Sequence, residues 1–150
     1  MYKKILVPLD GSKRAERVLP HVEKIAQDNG AMVIFLTVAS TPMVFGYDDM
    51  QYQHFEVQFE RLLGESEKYV KGLSGEFKAR GIEARHRIVT GPVVKEILDA
   101  AEREDVDLVA ICSHGRGGLS RLFYGSVASG ILNRVDRPLL IIRARRENGN

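Results

Sequence analysis

The fold can be worked out from residues 112–126, Cys-Ser-His-Gly-Arg-Gly-Gly-Leu-Ser-Arg-Leu-Phe-Tyr-Gly-Ser. An apolar run at 106–111 precedes this stretch and is typical of a buried strand. The residues after it repeat at the spacing of one helix face: Ala128, Ile131, Leu132 and Val135. The glycine-rich, acid-free loop is therefore predicted to end at a helix N-terminus, whose unpaired N–H groups attract anions such as phosphate. A surface loop whose glycines only serve turns is the alternative.

Length and composition indicate one domain, residues 1–150, with a core over about 1–143 and a polar tail at 144–150. The chain is 44% apolar and 28% charged, as expected for a protein that buries a full core. A net charge of +2 is too small to indicate general nucleic-acid or membrane binding. A single cysteine cannot form an internal disulfide, and no segment resembles a signal peptide or a membrane span. We therefore expect a cytoplasmic protein.

The first third of the chain predicts a β-α-β unit. Ile5–Leu9 is an apolar strand that ends at the turn-forming residues Asp10–Ser12. Met32–Val38 is a second strand, rich in β-branched residues and buried on both faces. Between them lies a helix that ends at Asn29-Gly30 and whose apolar face is formed by Ala15, Val18, Leu19, Val22, Ile25 and Ala26.

The next segment, residues 39–53, has no period and is predicted to be a long loop, either a lid or binding segment or a disordered one. A long helix is predicted to follow and to end near Gly81, with His54 at its surface. One helix face carries its larger side chains: Phe55, Phe59, Leu62, Leu63, Ser66, Tyr69, Val70, Leu73 and Phe77.

The second half predicts two further helices and three strands. Glu83–Thr90 alternates charged and apolar residues, as a strand at a sheet edge does. Pro92 is predicted at the first position of a helix whose apolar face is Val94, Ile97, Leu98 and Ala101. Val106–Cys112 is the fourth strand, and Leu139–Ile142 is the fifth, after a break at Asp136–Pro138.

Alternating strands and helices of this kind predict an α/β fold, an open five-stranded parallel sheet with helices on both faces. Ligands of such sheets bind at the carboxyl ends of the strands, where the strand order reverses. If the order is 3-2-1-4-5, the turn at Asp10 and the loop at 112–126 face each other across that point.

The same residues carry a family resemblance over essentially the whole length. Ile5–Ser12, Ser113–Leu122, Gly125–Val127 and Arg137–Ile142 together resemble the signature segments of the universal stress protein family. The resemblance implies the order 3-2-1-4-5, an adenine nucleotide alpha hydrolase-like fold and a homodimer. ATP-binding members share a motif of glycine, two residues, glycine, nine residues, then glycine and Ser or Thr. This chain matches it from the second glycine onward.

The resemblance implies a nucleotide site on the matching positions. Pro8, Leu9 and Asp10 would lie near ribose and adenine, and Val38 would lie against adenine. The phosphate positions would be Gly115, Gly125, Ser126 and Val127, with Arg116 and Arg121 available to neutralise charge. Each role is physically reasonable, since a carboxylate accepts ribose hydroxyl protons and a helix N-terminus binds anions. Turn formation for Asp10, core packing for Val38, an N-cap for Ser126 and solvation for the arginines are the alternatives.

Cys112 occupies the position of the first motif glycine. Glycine serves there either through a backbone angle closed to other residues or through clearance for the ligand. In the first case cysteine would strain the loop, and in the second it would rotate into the core and leave a weakened site. We favour the second case, because the rest of the motif is intact. His114 is assigned to backbone packing of the loop.

These observations favour an ATP-binding stress protein that acts as a nucleotide-dependent regulator or switch, with ATP bound in preference to GTP, with or without Mg²⁺. No efficient enzyme is expected: no Asp or Glu lies between Ser113 and Ser126, and there is no Gly-Lys-Ser/Thr phosphate loop. A weak ATPase and a dimeric interaction module without a ligand are the alternatives. The apolar fifth strand, Leu139, Leu140, Ile141 and Ile142, is the predicted dimer edge, because the opposite edge carries Arg85 and Arg87.

Overall fold

Five parallel strands, in the order β3-β2-β1-β4-β5, form the sheet in a computed structural model of the chain. The strands are β1 (Lys4–Pro8), β2 (Met32–Ala39), β3 (Ala84–Thr90), β4 (Leu108–Cys112) and β5 (Leu139–Ile142). The helices are α1 (Leu19–Asn29), α2 (Asp49–Ala79), α3 (Val93–Arg103) and α4 (Ser126–Arg134). The structure describes residues 1–40, 46, 48–114 and 125–144. The predicted fold class and strand order are confirmed.

Both faces of the sheet are covered by helices. On one face, Ile5 and Val7 of β1 belong to the core cluster that includes Val22 of α1 and Phe77 of α2. On the other face, Leu6 belongs to the cluster with the side chains that α3 and α4 bury. Because alternate residues of a strand point to opposite faces, a strand covered in this way must be apolar throughout. Ile5, Leu6 and Val7 are all fully buried.

The strand order reverses at β1, because β2 and β3 lie on one side of it and β4 and β5 on the other. Leu6 is in register with Ile34 of β2 on one side and with Val109 of β4 on the other. The chain segments that follow β1 and β4 therefore leave the sheet from neighbouring strands, which is where parallel sheets of this class hold their ligands. Among the described residues, no helix combines the length and apolarity needed to cross a bilayer.

The start of α2 differs from the prediction, since residues 49–53 are helical and not part of a loop. A capping box begins the helix: the backbone N–H of Gln51 donates to Asp48 Oδ1 at 2.8 Å, and the N–H of Asp48 donates to Gln51 Oε1 at 3.4 Å. The Asp-x-x-Gln spacing was therefore the signal for the helix start. His54 is exposed, as predicted.

Smaller differences occur at the ends of other elements. A 3₁₀ helix, Ala15–Val18, precedes α1, so the predicted first helix consists of two parts. Pro92 is the N-cap of α3 and not its first helical residue. Leu132 was predicted on the buried face of α4, but 47% of its surface is exposed. The short α4 needs only Ala128 and Ile131 to cover its part of the sheet.

The two halves of α2 have different surroundings. The C-terminal half buries Val70, Leu73 and Phe77, and Phe77 meets Phe35 of β2 edge-on, with ring centroids 4.9 Å apart at 86°. Neither core cluster takes a side chain from residues 49–66. Leu62, predicted on the buried face, is 43% exposed. Within the described part of the chain, it is therefore the C-terminal half of α2 that contributes side chains to the core.

We expect Phe77→Ala to lower the free energy of unfolding by about 3–5 kcal/mol, because it empties a buried ring site in contact with Phe35. Val57→Ala is the control on the same helix, since Val57 is 62% exposed, and it should change stability by less than about 1 kcal/mol. Urea denaturation followed by circular dichroism measures both. Equal losses for the two variants would contradict the assignment of the anchor to the C-terminal half.

Candidate functional site

A cavity of about 350 Å³ lies at the carboxyl end of the sheet, where β1 and β4 part. This volume is within the range of small-molecule pockets. Eight of the ten predicted site residues line it: Pro8, Leu9, Asp10, Val38, Cys112, Gly125, Ser126 and Val127. The other two, Gly115 and Arg116, lie outside the described residues, as does Arg121. The structure thus brings together the predicted site residues that it describes.

The turn after β1 forms one wall of the cavity. The N–H of Leu9 donates to Leu36 O at 2.8 Å, and the hydroxyl of Thr37 donates to Leu9 O at 3.1 Å, so the chain stays fixed to β2 beyond the end of the strand. The N–H of Ser12 then donates to Asp10 Oδ1 at 2.9 Å. Asp10 is therefore a turn former, as the alternative held, and also lines the cavity.

The N-terminus of α4 forms the opposite wall. The N–H of Gly125 donates to Ser113 O at 2.9 Å, and a Cβ atom at Gly125 would lie only 3.3 Å from that oxygen. Gly125 is the N-cap, so Ser126 is the first helical residue and not the cap. Among the described residues, no side chain caps this terminus. A helix terminus without a side-chain cap can bind an anion through its first-turn N–H groups.

Ser113 joins the cavity to β5. Its N–H donates to Ile142 O at 2.8 Å, and its buried hydroxyl oxygen accepts from the N–H of Ala144 at 2.9 Å. The same hydroxyl bonds His114 Nδ1 at 3.0 Å. His114 therefore forms a side-chain hydrogen bond and lines the cavity, whereas backbone packing was predicted. Ala144, assigned to the polar tail, is tied to the fold through the same serine.

Cys112 is the last residue of β4 and has ordinary strand backbone. Among the described non-glycine residues, only Asp105 has a positive φ, so Cys112 does not occupy a backbone conformation reserved for glycine. Cys112 lines the cavity and is half-buried. The rotation of the side chain into the core stays a prediction. Cysteine therefore differs from glycine at this position in side-chain volume and not in backbone conformation.

The electrostatics of the cavity are simple in the described residues. In the described part of the chain, Asp10 is the one Asp, Glu, Lys or Arg residue that lines the cavity. Nearby, Tyr69 of α2 donates its hydroxyl proton to Glu16 Oε1 at 2.8 Å. Burial first, and then this hydrogen bond, raise the pKa of Tyr69, so the hydroxyl stays protonated. The described residues contain no cluster of three His, Cys, Asp or Glu side chains that could hold a metal ion.

Sequence reasoning missed part of the cavity wall. Val93 and Ile97 of α3 line it, as does Ser40 after β2. The spacing of Val93 and Ile97, four residues apart at the start of a helix, was a signal for a shared face. Only the packing of α3 against the sheet turns that face toward the cavity. Ser40 carried no signal in the sequence.

Comparison with known proteins gives consistent matches over the whole chain. The model of the universal stress protein family matches residues 1–143. Universal stress protein MJ0577 of Methanocaldococcus jannaschii is 28% identical, over 97% of this chain and 97% of its own. The solved structure of MJ0577 has a TM-score of 0.84 at 29% identity, covering 98% of this chain and 99% of that one. A universal stress protein from Archaeoglobus fulgidus, solved in complex with dAMP, has a TM-score of 0.63 at 23% identity, covering 94% and 98%.

Proposed function

This chain belongs to the universal stress protein family, and from this premise we propose that it binds ATP and acts as a nucleotide-dependent regulator or switch in stress response. One observation carries the proposal: the cavity lies between the carboxylate of Asp10 and the N-terminus of α4, which no described side chain caps. A nucleotide site needs both kinds of group: a hydrogen-bond acceptor for the ribose hydroxyls and hydrogen-bond donors for the phosphates. The single cysteine is consistent with a cytoplasmic location.

The residues of the cavity divide between the parts of the nucleotide. Leu9 and Val38 offer apolar surface to the adenine ring, and Asp10 accepts hydrogen bonds from the ribose. The first-turn N–H groups of α4 and the hydroxyl of Ser126 bind the phosphates. An adenine nucleotide is also supported by the dAMP complex of the Archaeoglobus fulgidus protein. Mg²⁺ would be held chiefly by the phosphates, because Asp10 is the single carboxylate among the described lining residues.

Efficient hydrolysis is not part of the proposal. Phosphoryl transfer needs metal ions held in position and a group that orients the attacking water. Asp10, at the proposed ribose end, is the one described carboxylate that lines the cavity. The protein therefore keeps ATP as a bound ligand, with slow turnover at most.

ATP binding should be measurable by titration calorimetry, with weaker binding of GTP. Gly125→Val should weaken ATP binding at least tenfold, because a side chain at Gly125 meets the carbonyl of Ser113 at the phosphate end. Gly64→Val on α2 is the matched control, since a Cβ there meets nothing within 4 Å. Folded protein that shows no binding at millimolar ATP with Mg²⁺ would refute the proposal. Equal ATP affinity of the Gly125→Val variant and the parent would refute the assignment of the phosphate end.

Cys112→Gly should tighten ATP binding by about 1 kcal/mol, roughly fivefold, because it removes the side chain of a cavity-lining residue whose backbone conformation is open to any residue. Cys112→Ser shows whether the volume of the side chain or the chemistry of the thiol matters. Serine has a similar size to cysteine, so the variant should bind ATP with nearly the affinity of the parent protein. Dissociation constants are compared at one Mg²⁺ and salt concentration. Unchanged or weaker affinity in the glycine variant would show that space at this position does not limit binding.

We also propose a homodimer through β5. The strand pairs with β4 on one side, and its four residues are all half-buried apolar side chains, Leu139, Leu140, Ile141 and Ile142. An apolar edge strand of this kind is stabilised by a partner. The opposite edge, β3, carries the exposed charges of Arg85 and Arg87. The two edges thus differ in their capacity to pair.

Sedimentation at tens of micromolar protein should therefore give the mass of a dimer. Ile141→Lys should shift the protein toward the monomer, because a charged residue on an edge strand opposes pairing. Thr90→Lys, at the exposed end of the β3 edge, is the control and should remain dimeric. A monomeric parent protein, or dissociation by both variants alike, would exclude the β5 interface.

A further inference from the structure

The N-terminal half of α2 has the side-chain spacing of a coiled-coil seam. Tyr52, Phe55, Phe59, Leu62 and Ser66 follow one another at steps of three, four, three and four residues. This is the spacing of the a and d positions of a heptad, which form one stripe along a helix and pack against a partner helix. The seam, defined here as these five residues, continues the stripe that the C-terminal half of α2 buries against the sheet.

Among the described residues, the core does not take up the seam. Tyr52 is 50% exposed and Leu62 is 43% exposed. Phe55 and Phe59 are half-buried and stack on each other, with ring centroids 6.0 Å apart and an interplanar angle of 15°. None of the five belongs to either core cluster. Three aromatic rings and a leucine, two of these side chains exposed and two half-buried, on one helix stripe are typical of a protein-binding surface.

The charges beside the seam indicate which partner fits. With Tyr52 at an a position, Glu56 and Leu63 occupy e positions, and Gln51, Gln58 and Glu65 occupy g positions. These flanks contain no Lys or Arg. The one Lys or Arg between residues 49 and 66, Arg61, lies at a c position, 3.3 Å from the carboxylate of Glu65. Residues at e and g form the ion pairs that select a coiled-coil partner, so these flanks favour a basic partner helix.

A second copy of the same helix fits less well. If a second copy bound the seam, the glutamate and glutamine residues at its e and g positions would face the same residue types of the first copy. No Lys or Arg at these positions would form an ion pair with them. We therefore propose that the seam docks an amphipathic helix of another protein, with Lys or Arg flanking its apolar stripe. The seam spans about 21 Å, four turns of helix, which sets the length of helix that it can bind. The nucleotide site is not needed for this contact.

A synthetic helix tests the proposal on the full-length protein. The probe is a fluorescent peptide of about three heptads, with Leu at a and d and Lys at e and g, and its matched control has Glu in place of Lys. Fluorescence anisotropy should show that the Lys peptide binds at least tenfold more tightly than the Glu peptide. Phe59→Ser should weaken binding of the Lys peptide at least tenfold. Val57→Ser, at an exposed f position on the same helix, should not.

Charge reversal distinguishes charge-selective docking from non-specific hydrophobic binding. The double variant Glu56→Lys and Glu65→Lys should exchange the preference, so that the Glu peptide binds more tightly. Glu60→Lys, at a b position away from the seam, should keep the preference for the Lys peptide. Circular dichroism and thermal unfolding establish that each variant has the parent fold.

Results of three kinds would overturn the proposal. The first is no binding of the Lys peptide to folded parent protein. The second is equal weakening by Phe59→Ser and Val57→Ser, or a preference that charge reversal leaves unchanged. The third is a dimer, measured by sedimentation without peptide, that Phe59→Ser dissociates, since the seam would then bind a second copy of this chain.

Discussion

The pairing of β1 with β2 on one side and β4 on the other is the constraint on which the structure depends. Ile5, Leu6 and Val7 are fully buried, so β1 must lie between two strands and beneath helices on both faces. Once β1 is central, the segments after β1 and β4 have to leave from adjacent strands. The turn at Asp10 and the N-terminus of α4 are the walls of the resulting cavity. The site is therefore a consequence of the sheet order and not of any single motif.

The strands were predictable because parallel strands buried on both faces are continuous apolar runs, as Met32–Val38 is. Their order could not be derived from these runs and came from the family resemblance. The ends of helices and strands were harder to predict from the sequence, because they depend on individual hydrogen bonds. The start of α2 rests on the reciprocal bonds of Asp48 and Gln51, two polar residues in a segment without hydrophobic periodicity. Leu132 kept the helical spacing, but α4 is too short and too peripheral to bury it.

The candidate site was predictable where a residue type has a direct role. Gly125 is an example, because the approach of Ser113 O leaves little room for a side chain. The backbone conformation of Cys112 was not predictable from the sequence, since it depends on where β4 ends. Val93 and Ile97 reach the cavity only through the packing of α3, a relation between elements distant in the sequence. Gly115 and Arg116 remain predictions.

The division of α2 into an anchored half and a half outside the core has a consequence for amide hydrogen exchange. Backbone hydrogen bonds around Val70, Leu73 and Phe77 are protected by the core, so their amides exchange only when the sheet itself opens. Between Asp49 and Ser66 the helix can open turn by turn from its N-terminus, because no core cluster holds these side chains. We therefore expect one continuous helix to belong to two cooperative units, and a bound partner to extend the slow-exchanging unit toward Asp49.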